Sequence, residues 1–82
     1  MVLEKNADKR KPTDELLTIL ADNVRQLRKE QGLTQEDLGD ACDFHPTFIS
    51  LIERKQRNVT ISTLEVLARA LGVKSFELLK DN

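Results

Sequence analysis

The chain has 82 residues and a formal net charge of −1, a length that allows one domain with a single modest core. Apolar residues make up 39% of the chain and charged residues 33%, with no Trp and no Tyr. This composition favours a helical globule whose core is built from Leu, Ile and Val. The single Cys excludes an intramolecular disulfide and suits a reducing compartment.

Several function classes are disfavoured by what the sequence lacks. It has one His, one Cys, no glycine-rich phosphate loop and no residue pair with metal-ligand spacing, so we predict that it is not an enzyme and binds no metal, cofactor or small-molecule ligand. No apolar stretch has the length of a signal-peptide core or a membrane span. We therefore expect a cytoplasmic protein without a membrane partner.

The first segment of the chain differs in composition from the rest. Residues 1–12 are polar and basic and end in Pro12, which predicts a flexible basic N-terminal arm before a folded domain over residues 13–82. Local clusters of basic residues can bind phosphate even on a nearly neutral protein. Such clusters occur at Lys5, Lys9, Arg10 and Lys11 and again at Arg54, Lys55 and Arg57.

The first predicted helix runs from about Asp14 to Gln31. Apolar residues recur there every three or four positions, so they form one continuous stripe on a helix. Gly32 follows directly and is expected to end the helix. The apolar stripe consists of Leu16, Leu17, Leu20, Val24 and Leu27.

Two short helices are predicted next, close together in the chain. Thr34 is expected to cap a second helix that runs from Gln35 to about Cys42, with Asp37 completing a capping box. A third helix begins about three residues later with Pro46 at its first position. This spacing is that of a helix-turn-helix unit, and Cys42 is interpreted as a small core residue.

The remaining chain predicts two further helices. Thr60 is expected to cap a fourth helix that Gly72 ends, and a short fifth helix begins at Ser75. No strand pattern is present. The predicted fold is all-α with five helices, and the second and third form the helix-turn-helix.

Residues 33–58, with the sequence LTQEDLGDACDFHPTFISLIERKQRN, resemble the Cro and phage-repressor (XRE) helix-turn-helix family. The resemblance extends over about residues 20–80 and includes the run NVTISTLEVLARALGV. Within the family, the chain looks most like the controller proteins of restriction-modification systems.

The resemblance implies a lambda-repressor-like fold and a sequence-specific transcriptional regulator. Such a regulator binds a short palindromic operator in double-stranded DNA as a homodimer and regulates its own gene and an adjacent one. RNA polymerase is a further candidate partner.

The predicted third helix has two different sides. Steps of about 100° per residue place Ile49, Ile52 and Glu53 on the side facing the core. The opposite side carries hydroxyl, apolar and guanidinium groups that can meet base edges in a major groove. The predicted base-reading residues are Thr47, Ser50, Leu51, Arg54 and, at the helix entrance, His45. A merely solvated face is the alternative, which the spacing of the turn disfavours.

Phosphate contacts are predicted around the same helix. Gln35 lies at the positive end of the second helix, where exposed backbone N–H groups favour anions. Lys55, Arg57 and Asn58 follow the third helix and are expected along the sugar-phosphate backbone.

The resemblance also assigns structural roles. Arg28 and Glu53 match positions that form a buried ion pair in many family members. The chain departs from the family pattern at Gly39, where Ala is usual, and at Asp43 and Lys55, where Gly is usual. We expect Gly39 to cost about 0.5–1 kcal/mol of helix propensity while permitting close approach, and a left-handed backbone at Asp43 to be strained.

The C-terminal helices carry more apolar residues than one small core can cover. We therefore predict a homodimer joined through Val66, Phe76, Leu78 and Leu79, with recognition helices about 34 Å apart. An alternative is the antitoxin of a toxin-antitoxin pair, in which the same fold also masks a toxin. Only residues 1–12 could serve as the extra toxin-binding segment, and their low apolar content argues against it.

Overall fold

The computed structural model describes residues 15–81, and within them it contains helices and no strand. The all-α prediction is confirmed, with one difference, since the fifth helix is a 3₁₀-helix. The predicted basic arm, residues 1–12, lies outside the described residues. The elements in chain order are α1 (Glu15–Glu30), α2 (Gln35–Cys42), α3 (Pro46–Glu53), α4 (Ile61–Leu71) and the C-terminal 3₁₀-helix (Ser75–Leu79).

The start of α2 is fixed by a reciprocal pair of hydrogen bonds. The backbone N–H of Asp37 donates to Thr34 Oγ1, and the backbone N–H of Thr34 donates to Asp37 Oδ2, each at 2.9 Å. The predicted capping box is therefore present. Because the backbone N–H of Thr34 stabilises the charged carboxylate, it holds the pKa of Asp37 below its usual value.

The same hydrogen-bond pattern ends all four α-helices. One or two residues after each helix lies a residue in a left-handed conformation, and the backbone N–H that follows it donates to a carbonyl five positions earlier at 2.8–3.0 Å. This is the Schellman arrangement, which satisfies carbonyls at the helix end. The left-handed residues are Gly32, Asp43, Lys55 and Gly72.

One core joins all five helices. Its largest fully buried side chains are Val24, Leu38, Ile49, Ile52, Leu67 and Leu78.

The C-terminal 3₁₀-helix is tied down by a buried amide on α1. Asn23 Nδ2 donates to the carbonyls of Leu78 and Lys80, each at 2.9 Å. Leu78 is 0% exposed as a result, because its side chain completes the core of its own chain. Its predicted place in a dimer interface is therefore wrong.

The contact between α2 and the turn explains Gly39. A Cβ atom at this position would lie 2.6 Å from the carbonyl oxygen of Phe44, which is shorter than a nonbonded contact allows. Glycine lets the backbone of the turn close against α2. Cys42 is also buried, and burial raises the pKa of its thiol, as suits a small core residue.

None of the helices over residues 15–81 combines the length and the apolar character that crossing a membrane requires.

Candidate nucleic-acid interface

The helix α3 has one side in the core and one side outside it. Ile49 and Ile52 are buried, as the side-chain spacing predicts. Thr47 is exposed, and Ser50 and Leu51 are half-buried. The structure therefore brings the two hydroxyls and the Leu51 side chain to the side of α3 that the core leaves open.

His45 begins α3 as its N-terminal cap. The exposed imidazole accepts a hydrogen bond at Nδ1 from the backbone N–H of Thr47 at 3.0 Å. An accepting Nδ1 carries no proton, so in the neutral ring the proton belongs to Nε2. His45 thus orders the first turn of α3 and leaves Nε2–H as the group available to a ligand.

An ion pair beneath α3 joins it to α1. Arg28 Nε donates to Glu53 Oε2 at 2.7 Å, and Arg28 Nη2 donates to Glu53 Oε1 at 2.9 Å. The two side chains are 10% and 4% exposed, and the hydrogen bonds to Glu53 raise the pKa of Arg28. Arg28 Nη1 also donates to the carbonyl of Leu33 at 2.8 Å. The bidentate geometry fixes the orientation of α3 relative to α1.

Gln35 belongs to the same network. Its Nε2 donates to Glu53 Oε1 at 3.2 Å, so part of the amide that the sequence analysis assigned to phosphate is used within the protein. The backbone N–H groups of the first turn of α2 have no partner inside a helix. Since Thr34 Oγ1 accepts from the backbone N–H of Asp37, the backbone N–H groups of Gln35 and Glu36 and the second amide hydrogen of Gln35 are left for an anion.

The segment that follows α3 is basic and exposed. Arg54, Lys55, Arg57 and Asn58 are all exposed, and Lys55 has a φ of 63°. No carboxylate within residues 15–81 forms an ion pair with Arg54, Lys55 or Arg57. Their charges therefore face solvent, as a phosphate-binding role requires.

One contact of the basic segment was missed by the sequence analysis. The Arg57 guanidinium carbon lies 5.7 Å from the centre of the Phe48 ring. The Phe48 ring in turn contacts Phe44 edge to face, with ring centres 5.2 Å apart. An aromatic residue on a helix that precedes a basic segment is the signal that could have identified this contact.

The apolar surface differs from the predicted dimer interface. Phe76 is 63% exposed, but the most exposed large apolar residues also include Ile61 at 73% and Leu16 at 57%. Leu16, Ile61 and Leu79 line one mostly apolar groove. Phe76 is three residues before Leu79 on the 3₁₀-helix, so the two share a face. We call Leu16, Ile61, Phe76 and Leu79 the apolar face.

Val66, the remaining predicted interface residue, is half-buried and packs against the core. It lies about 140° around α4 from Ile61, and so away from the apolar face.

A family model described as helix-turn-helix matches residues 24–78. The chain belongs to this helix-turn-helix family, and the resemblance to the Cro and phage-repressor type is confirmed.

Two similar relatives are control proteins. Control protein C.SmaI of Serratia marcescens is 49% identical over 61 residues, which are 74% of this chain and 73% of that protein. Control protein C.BamHI of Bacillus amyloliquefaciens is 40% identical over 68 residues, covering 82% of this chain and 84% of that protein.

A solved structure of the restriction-modification controller protein C.Esp1396I has a TM-score of 0.71 with this chain. The two are 40% identical, and the match covers 78% of this chain and 88% of that one. In that structure C.Esp1396I is a tetramer in complex with its natural 35 base-pair operator.

Proposed function

We propose that this protein is a sequence-specific DNA-binding transcriptional regulator of the controller type. It binds a short two-fold-symmetric operator as a homodimer and regulates its own gene and an adjacent one. The observation that carries this proposal is the open side of α3, with Thr47, Ser50 and Leu51, followed directly by four exposed residues suited to phosphate. Residues that can contact base edges and residues that can contact phosphates are thus adjacent on one surface.

In this mechanism α3 enters the major groove. The Thr47 and Ser50 hydroxyls donate to or accept from base edges, and Leu51 contacts a thymine methyl. Arg54 lies at the end of the same side of α3 and offers a guanidinium to a base or a neighbouring phosphate. Because the Arg28–Glu53 pair holds α3 rigidly on α1, these groups reach the groove in one orientation.

The phosphate contacts hold the protein on DNA without reading sequence. Lys55, Arg57 and Asn58 lie along one strand beyond α3, and the N-terminus of α2 presents its positive end to phosphate. The similarity to named control proteins, one of them solved with its operator, supports this assignment.

We further propose that the protein works in the cytoplasm and performs no catalysis. Contact with RNA polymerase stays a prediction.

The dimer is proposed to form through the apolar face. Side chains as exposed as Ile61 and Phe76 gain free energy when a second copy covers them. A two-fold dimer would place the two α3 helices about 34 Å apart, one turn of DNA.

Sedimentation of Ile61→Asp tests this interface, since a carboxylate cannot be buried there without cost. We expect a monomer, whereas the neighbouring control Ser62→Asp should remain a dimer. Wild-type protein that is monomeric at tens of micromolar, with no dimer on DNA either, would contradict the proposal.

The DNA-binding role is tested by separating sequence reading from charge. Thr47→Ala and Ser50→Ala should each weaken binding to the cognate operator by about 1–3 kcal/mol and barely change binding to random DNA. Arg57→Ala should weaken binding to both and lower the salt slope by about 1, since one fewer counterion is released. Titrations of cognate and scrambled duplexes at several salt concentrations measure both effects.

Matched controls lie elsewhere on the surface. Thr18→Ala removes a hydroxyl from α1, and Arg69→Ala removes an exposed arginine from the last turn of α4. Both variants should bind like the wild type. If Thr47→Ala and Ser50→Ala leave the ratio of cognate to random affinity unchanged, α3 is not the reading element.

A further inference from the structure

Arg57 rests against the Phe48 ring rather than an acidic partner. Its guanidinium carbon lies 5.7 Å from the centre of the Phe48 ring, within the range of a cation–π contact. Within residues 15–81 no carboxylate pairs with it. The ring therefore positions the guanidinium without neutralising its charge, and the N–H donors stay available for an anion.

The Phe48 ring is itself fixed in place. Phe44 contacts it edge to face with an interplanar angle of 79°, and both rings are half-buried and pack against the core. Phe48 also lies in the first half of α3, whose position is set by the buried ion pair. The surface on which Arg57 lies is consequently part of the rigid framework of the domain.

The backbone brings Arg57 back to this surface. Lys55 adopts a left-handed conformation, and the backbone N–H of Gln56 donates to the carbonyl of Leu51 at 2.9 Å. This helix end reverses the chain, so that Arg57 returns along α3 to a residue nine positions earlier. Both the backbone and the ring therefore determine where the guanidinium lies.

We propose that Phe48 is a positioning residue for DNA binding: its ring holds the Arg57 guanidinium in place for a phosphate contact. This inference rests on the proposed role of Arg57 in the function above. A free arginine loses considerable rotamer entropy when it binds a phosphate, and one already ordered on a ring loses less. Phe48 thus strengthens DNA binding through Arg57 and makes no base contact of its own.

The first experiment examines the contact without DNA. In the NMR spectrum of the free protein, ring current from Phe48 should displace the Arg57 Hδ resonances upfield. Phe48→Leu keeps apolar volume and removes the ring, so the resonances should return to their ordinary positions. Phe48→Tyr is the control, because it keeps a ring beneath Arg57, so the upfield displacement should persist. Ordinary Hδ positions in the wild type would overturn the inference and leave the proposed function standing.

The second experiment is a double-mutant cycle on a scrambled duplex. Phe48→Leu should weaken binding about 2- to 5-fold, as the loss of an exposed cation–π contact predicts. Its salt slope should match the wild type, because the charge of Arg57 is still present. The double variant Phe48→Leu, Arg57→Ala should bind no more weakly than Arg57→Ala alone, and Phe48→Tyr, which keeps a ring, should bind like the wild type.

The outcomes distinguish the positioning role of Phe48 from the phosphate contact of Arg57. Suppose that Arg57→Ala weakens binding and that the double variant loses affinity by the product of the two single losses. Phe48 then acts independently of Arg57, through stability or another contact, and the positioning role is overturned. If Arg57→Ala binds scrambled DNA as tightly as the wild type, Arg57 is not a phosphate contact, and the assignment in the proposed function fails together with the inference.

Discussion

The helices α1 and α4, which support the fold, end differently from α2 and α3, which form the helix-turn-helix. All four share the same terminal hydrogen bonds, but α1 and α4 use Gly32 and Gly72, with φ of 70° and 74°. The helix-turn-helix uses Asp43 and Lys55 instead, with φ of 59° and 63°. Glycine adopts this conformation without steric cost, whereas other L-residues pay about 1–2 kcal/mol.

The ends of α1 and α4 are therefore unstrained, whereas those of the helix-turn-helix, the part proposed to face DNA, carry backbone strain. Strained backbone commonly occurs at functional sites, where another gain offsets it. For Lys55 the proposed gain is a positive charge beside α3, which glycine could not supply. For Asp43 the structure shows no comparable gain, and its tolerance of left-handed backbone is the only explanation.

The largest effect is expected from breaking the ion pair between Arg28 and Glu53, which joins α1 to α3. Glu53→Ala leaves the buried Arg28 guanidinium without its partner, which should lower the free energy of unfolding by about 3–5 kcal/mol. Urea denaturation at fixed protein concentration measures this. The control Glu36→Ala removes an exposed carboxylate, and its free energy of unfolding should stay close to that of the wild type. An equally small change in Glu53→Ala would show that the ion pair does not stabilise the contact between α1 and α3.

The next effect tests strain in the supporting part. A Cβ atom at Gly72 would meet nothing within 4 Å, so Gly72→Ala introduces backbone strain and no collision. We expect the free energy of unfolding to fall by about 1–2 kcal/mol. Gly32→Ala, with the same geometry, should behave alike. Thermal stability equal to the wild type in both variants would show that left-handed backbone at these helix ends does not strain a non-glycine residue.

Relief of strain is expected at Lys55. Lys55→Gly and Lys55→Ala both remove the charge, but only Lys55→Gly relaxes the left-handed backbone. The glycine variant should therefore be more stable than the alanine variant by about 1 kcal/mol. Both should lower the salt slope of DNA binding by about 1, so that melting and titration distinguish strain from charge. Equal melting temperatures of the two variants would argue that Lys55 is unstrained.

The smallest effect is expected at Asp43. Its carboxylate lies at the negative end of α2, so Asp43→Asn removes an unfavourable charge and keeps a residue that tolerates left-handed backbone. The free energy of unfolding should rise by about 0.3–1 kcal/mol at low ionic strength. Since salt screens exposed charges, the gain should shrink in melts at high salt. A gain that does not depend on salt would point to the backbone rather than to charge.

Much of the fold could be predicted because its signals are local. The predicted bounds of α2, Gln35 to Cys42, coincide with the observed ones, because a capping box and a left-handed residue act within a few positions. The 3.6-residue period placed Ile49 and Ile52 in the core and Thr47 outside it. The Arg28–Glu53 pair came from the family resemblance, since residues 25 positions apart have no local signal.

The sequence by itself determined which segments are helical, the bounds of α2, and which side of α3 is open. Only the tertiary structure decided that Leu78 completes the core, that Gln35 is engaged by Glu53, and that Phe48 lies beneath Arg57. The physical reason is that capping and periodicity act over one or two helical turns. Which side chains meet across helices depends on how those helices dock and on where a strained helix end directs the chain.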